Sequence, residues 1–174
     1  YDGTTSSDGL PQTAPAPADG DTAEFQQAFA TPDAGTGKTI VPSGAVSDGN
    51  GGNNYDLTLI VVSDGVIAKA AATVSLSDLS HTYDGTAKAA TATTDPAGLG
   101  VVLTYNGTAT APTDAGSYPV EAVIDDTNYQ GSASDTLVIG KATPVLSWAG
   151  AARDVYGFTL QRSPVNATAS VAGT

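Results

Sequence analysis

The chain has 174 residues, 40% of them hydrophobic, with eighteen acidic against six basic side chains and a formal net charge of -12. That length allows one large or two small domains with enough apolar content for a core. The charge argues against nucleic acid and anionic membrane surfaces as partners, since both call for clustered Lys and Arg. The chain has no Cys and one histidine, His81, which excludes a disulfide scaffold, a thiolate zinc site and a multi-His metal site within one chain. Most of the acids are Asp, a turn residue, so the charge belongs at chain reversals rather than on helical faces. The chain has no Met and opens on Tyr1, so it reads as a fragment or processed piece of something longer, and a piece cut from the middle of a protein would carry neither signal peptide nor membrane-spanning run.

In chain order, the first predicted element is "AEFQQAFA". Its Phe25 and Phe29 fit helical and extended spacing alike, but the run is short and closed by Pro32, so it is read as a strand. "PDAGTGKTI" follows, ending in the Gly-Lys-Thr of a phosphate-binding loop. The position such a loop needs as its first glycine is Pro32, and Pro42 and Gly44 would break the helix that should follow, so this is turn chemistry before a strand. "YDLTLIVVSDGVIAKA" puts Leu57, Leu59 and Val61 on one face of an extended segment, and Asp64-Gly65 between two β-rich runs predicts a hairpin. His81, in "LSHTYDG", lies beside a predicted turn as a solvated or packed side chain. "VVLTYNGTA" alternates Val101, Leu103 and Tyr105 before an Asn106-Gly107 turn. In "SYPVEAVIDD", Tyr118, Val120, Ala122 and Ile124 share a side, and Pro119 points to an edge or a strand start. Trp148, in "PVLSWAG", is read as core of a last module or of its seam with the one before.

Internal repeats organise these elements. "YDGT" occurs at Tyr1 and at Tyr83, "DAG" at Asp33 and at Asp114, and Asn-Tyr at Asn54-Tyr55 and at Asn128-Tyr129. Each copy then runs through a strand into Lys-Ala, at Lys69 and at Lys141. The order is the same both times, which predicts a tandem array. The two DAG turns are expected to take a positive φ at Gly35 and Gly116.

These landmarks carry a family resemblance. "YDGT … DAGTGKTI … GNNYDLTL" resembles the YDG repeat of large bacterial surface proteins. The stretch from "VSLSDLSHTYDGTAKAA" to "DTLVIGKAT" is similar to the MBG domain, a mostly-β bacterial immunoglobulin-like module. The tail "PVLSWAGAARDVYGFTLQRSPVNATASVAGT" resembles the opening of a further bacterial Ig-like repeat. The resemblance implies an all-β chain of tandem immunoglobulin-like antiparallel sandwiches. Its parts are a YDG-type module at 1–71 lacking its first strand, an MBG-type domain at 72–142, and the truncated start of a further repeat at 143–174. It implies no catalytic activity.

Two site chemistries deserve weighing against plain turns. "SDGNGGNNYD" offers Asp48, Asn50, Asn53, Asn54 and Asp56, and "IDDTNYQ" offers Asp125, Asp126 and Asn128, hard oxygen ligands of the kind calcium takes. Neither loop fits an EF-hand, and as hairpin loops of Asn, Asp and Gly both explain themselves. Lys69 and Lys141 recur at module ends, as in the Lys-to-Asn isopeptide bonds of some pilus-type Ig folds, but the only glutamates, Glu24 and Glu121, occupy unmatched positions. Asn106-Gly107-Thr108 and Asn166-Ala167-Thr168 are glycosylation sequons only in a host with that machinery.

The expected function is a non-catalytic spacer or stalk segment of a secreted or surface-anchored, adhesin-like bacterial protein, with neighbouring repeats of the same chain as partners. The alternative is an extracellular binding module that recognises a glycan or a partner protein through loops at one end of the sandwich. No catalytic or cofactor-binding residues are expected. The metal candidates, for calcium, are Asp48, Asn50, Asn53, Asp56, Asp125 and Asp126.

Overall fold

The structure, a computed structural model, describes residues 1–148 and 167–169, without the side chains of the last strands. Asn166, the side chain of Trp148 and most of the last predicted module lie outside the described residues. The described residues contain no helix. Their strands are β1 (Thr22–Phe29), β2 (Gly35–Ser47), β3 (Val62–Ile67), β4 (Ala70–Ala71), β5 (Thr73–Ser77), β6 (Ser80–Thr82) and β7 (Thr91–Asp95). They continue with β8 (Val101–Tyr105), β9 (Gly116–Ile124), β10 (Tyr129–Gln130), β11 (Ser132–Gly140), β12 (Leu146–Trp148) and β13 (Ala167–Ala169). The protein is all-β, as its Thr, Val, Gly and Asp vocabulary requires.

The chain divides into two compact units. The first holds Tyr1–Thr73 together with Thr94–Gly100 and Ile124–Gly131. Its sheet has the order β1-β2-β3. The long β2 pairs with β1 from Ile40 to Ser47 and with β3 from Gly35 to Ile40, and the β3 ladder shifts register on either side of Lys38. The predicted strand "AEFQQAFA" is thus real, and Lys38 lies in a strand with its ammonium on the Thr31 hydroxyl. A second small pairing runs parallel, Ala70-Ala71 of β4 beside Tyr129-Gln130 of β10.

The Asp64-Gly65 hairpin does not form. Both residues lie inside β3, and the apolar run Leu57 to Val61 is exposed and outside any strand. Gly65 is instead buried, and a Cβ there would come within 2.6 Å of the Phe29 ring and 2.8 Å of the Lys38 carbonyl oxygen. Close packing, with no chain reversal, is what this glycine provides; the Asp-Gly signal is local and cannot see Phe29 arriving from another strand.

The second unit comprises Val74–Thr93, Val101–Val123 and the chain from Ser132 onward. Its main sheet has the order β6-β11-β9-β8, with β6 parallel and β9 antiparallel to β11. Strand alternation sets the core. Val120 and Ala122 on β9 and Leu137 and Ile139 on β11 are buried while the residues between them are exposed. Val120, Leu137, Ile139, Tyr105 and Ala90 form one cluster, and Leu76, Leu79, Tyr83, Leu103 and Tyr118 pack against it. The face read for β9 and the alternation read for β8 are both as expected. So is the turn after Tyr105: Asn106 and Gly107 take φ of 49° and 80°, and Tyr105 and Thr108 exchange backbone hydrogen bonds across it.

Tyr105 also sets a polar group into this core. Its hydroxyl accepts the Ala90 N–H at 2.9 Å, and both residues are buried. Tyr105→Phe keeps the ring and strands that N–H, so it should cost about 1–3 kcal/mol. Urea denaturation reads the loss, and faster exchange of the Ala90 amide locates it.

Candidate functional site

The repeated landmarks fold alike. In the first YDGT, Asp2 Oδ1 accepts the Thr4 N–H and the Thr4 hydroxyl, each at 2.8 Å. In the second, Asp84 Oδ1 accepts the Thr86 N–H at 2.9 Å and its hydroxyl at 2.6 Å. An Asp side chain that bonds the backbone two residues on closes a tight turn by itself, which is why the motif keeps its shape in two settings. Both carboxyls are held below the usual range of 3.8, Asp2 chiefly by the Thr4 N–H and Asp84 chiefly by the Lys88 ammonium at 2.6 Å.

The match extends across each copy. The nitrogen of Tyr1 donates to the Ala68 carbonyl at 2.6 Å and that of Tyr83 to the Gly140 carbonyl at 2.9 Å, in each case the residue before the recurrent lysine. The DAG glycines open β2 and β9, and they pair with Ile67 and Ile139, the residues before those carbonyls. The two glycines differ in one respect. Gly35 has the expected positive φ, 155°, but Gly116 does not. At Gly116 the constraint is the Tyr118 side chain, whose hydroxyl a Cβ would meet at 3.2 Å and whose ring at 3.3 Å.

The Asn-Tyr loops hold the calcium candidates. Asp48, just past β2, accepts the N–H groups of Asn50 (2.8 Å) and Gly52 (2.7 Å) on one oxygen and of Asn54 (3.0 Å) on the other. Those donors, Gly52 first, lower its pKa. Asn53 donates its amide to the Asn50 carbonyl, Asn50 donates its own to Asn54, and Asp56 is exposed. Asp126 Oδ1 accepts the N–H groups of Asn128 and Tyr129, and the exposed Asp125 donates its N–H to the Gly100 carbonyl. The candidates therefore stay in two separate loops whose central carboxylates face backbone donors. Among the described residues no three His, Cys, Asp or Glu lie close enough to hold a metal ion. With the Asp48 carboxylate already facing three N–H dipoles, the melting temperature should be the same in calcium and in EDTA; a calcium-dependent rise would mark these residues as ligands.

The first unit does bring together residues far apart in sequence. The Asn128 side chain spans the first DAG turn, its Oδ1 accepting the Ala34 N–H at 2.8 Å and its Nδ2 donating to Asp33 Oδ1 at 3.1 Å. Lys69 donates to the Asp126 carbonyl at 2.6 Å, and the Tyr1 and Tyr129 rings meet edge to face at 5.5 Å. With the β4-β10 pairing, this ties one copy of YDGT, DAG and Lys-Ala to the second copy of Asn-Tyr. Recurrence of these dipeptides was the signal in the sequence, but spacing alone did not say that they meet.

Two other singled-out residues, His81 and Tyr55, have structural partners. His81, on β6, has Nε2 2.7 Å from the Asp78 carbonyl. Tyr55 donates to Asp21 and accepts from the Ala18 N–H, and the Asp21 contact raises its pKa. A shallow depression on the outer side of β8, β9 and β11, lined by Thr104, Pro119, Glu121, Ser134 and Thr136 among others, contains no aromatic ring.

These features define an all-β chain whose polar side chains close turns. Residues 72–143 match the family model of the MBG domain, so this stretch, less than half of the chain, is similar to that family. No curated protein and no solved structure matches the chain.

Proposed function

We propose that this chain is a non-catalytic spacer segment of a secreted or surface-anchored bacterial protein, built from a YDG-type module at 1–71, an MBG-type domain at 72–142 and the start of another repeat from 143. The observation that carries the reading is the matched geometry of YDGT and DAG in both copies, where Asp and Thr close the turn, the Tyr nitrogen bonds the carbonyl before the recurrent lysine and the DAG glycine opens a strand in the same register. Similarity of residues 72–143 to the MBG domain supports a surface-protein repeat. A unit that closes its own core can be repeated cheaply, so that length becomes reach, and a net charge of -12 keeps such segments apart and soluble.

Lengthening the chain tests it. With one, two and three copies of residues 71–142 appended after Ala142, the maximum dimension from small-angle scattering should rise in equal steps. Growth that flattens as it does for a compact body, whose radius scales as about the 0.38 power of length, would overturn the spacer.

A further inference from the structure

The first copy of the repeat has its DAG turn occupied, and the second does not. In the first, Asn128 bonds Ala34 and Asp33, Lys69 reaches the Asp126 carbonyl and Tyr1 takes the edge of Tyr129. The matching positions in the second are Ala115, Asp114, Lys141 and Tyr83. Asp114, Ala115 and Lys141 are exposed, and the Ala115 N–H has no hydrogen-bond partner among the described residues. The turn is nonetheless held in shape, since Tyr118 donates its hydroxyl to the Asp114 carbonyl at 2.9 Å, and β9 leaves Gly116 in register with Ile139 as β2 leaves Gly35 with Ile67.

We infer that Tyr83, Asp114, Ala115 and Lys141 form a docking face for the Asn-Tyr loop of a following copy of the same module. That loop's Asn would accept the Ala115 N–H and donate to the Asp114 carboxylate. Its Asp carbonyl, two residues earlier, would receive the Lys141 ammonium, and its Tyr ring would meet Tyr83. The occupant is specified by the occupied copy: a side-chain amide that both accepts and donates, followed by an aromatic. Residues 143–174 contain no Asn-Tyr pair. The chain's own Asn128 is already engaged on Ala34. The inference rests on the repeated-module reading above and adds to it a junction code, in which each Lys-Ala exit is clamped by the Asn-Tyr loop of the module it leads into.

The experiment is amide hydrogen exchange, read by NMR, on the 174-residue chain and on residues 1–142 followed by a second copy of residues 71–142, a join that keeps the spacing from lysine to Asn-Tyr. In the lengthened chain the Ala115 amide should exchange about ten-fold more slowly or better, as an amide does on gaining a hydrogen bond. Asn128→Ala in the appended copy alone should restore the fast rate while Ala34 stays protected. The same substitution in the original copy should release Ala34 and leave Ala115 protected. Equal Ala115 exchange in the two chains overturns the inference. So does an appended copy whose Ala90 amide is unprotected, because the face would then have failed to hold its occupant. If Ala115 stays fast while scattering still shows equal steps of length, the junction code falls and the spacer stands. Protection at Ala115 without that growth in length supports the code and removes the spacer.

Discussion

Leu137→Ala should lower the unfolding free energy of the second unit by about 2–5 kcal/mol, the range for emptying a buried leucine site. Leu137 is 0% exposed, at the centre of the cluster with Tyr105, Val120 and Ile139. The strand that carries it cannot relax into the hole, because β11 is paired on one side with β9 and on the other with β6. Domains of this size have only about 5–15 kcal/mol to lose, so the urea midpoint should move far. Buried Tyr105 makes tyrosine fluorescence a suitable probe. Its neighbour Val138 is 43% exposed, and Val138→Ala should cost less than about 1 kcal/mol. Equal losses at the two positions would contradict the assigned faces, since a one-residue slip of β11 exchanges every inward and outward side chain.

The second large effect belongs to the first unit. Gly44, on β2, pairs with Phe25 on β1, and it has φ of 134°. A Cβ added there would lie 2.1 Å from the Glu24 carbonyl oxygen and 2.9 Å from the Phe25 Cα, both backbone atoms that the ladder fixes in place. Gly44→Ala should therefore combine a steric cost of about 1–3 kcal/mol with a backbone-strain cost of about 1–3 kcal/mol. The first unit has few buried apolar side chains, Val46 and Ile124, and so little reserve. The expected result is loss of protection at the amides of Ala23 to Gln27 while those of β9 and β11 remain protected. A variant that melts within about 0.5 kcal/mol of the parent would show that β1 and β2 are not paired in this register.

Local chemistry explains why so much could be read from the chain. Alternation placed Val120 and Ala122 inward on β9, because a strand has a period of two and nothing distant is needed to see it. Asn106-Gly107 made its turn because both residues tolerate left-handed backbone. Each Asp-Gly-Thr closed on itself because the Asp carboxylate reaches the Thr N–H within the motif. The recurrence of YDGT, DAG, Asn-Tyr and Lys-Ala was visible as pattern, and the all-β class followed from composition.

What the sequence could not carry was anything set by a partner far along the chain. Asp64-Gly65 has the local signature of a hairpin, yet Gly65 ended inside β3 because the Phe29 ring and the Lys38 carbonyl need the space that its missing side chain leaves. Gly116 looked like a second Gly35, but a tyrosine two residues on, where the first copy has Gly37, replaced the positive φ by packing. Asn128 read as a turn residue or an oxygen ligand, and its amide bonds to Asp33 and Ala34 became visible only when tertiary structure brought together segments more than ninety residues apart. Hydrophobic period and turn chemistry are encoded in neighbours and so are legible in one dimension. Which turn meets which loop depends on the register of strands between them, and only the folded chain decides that.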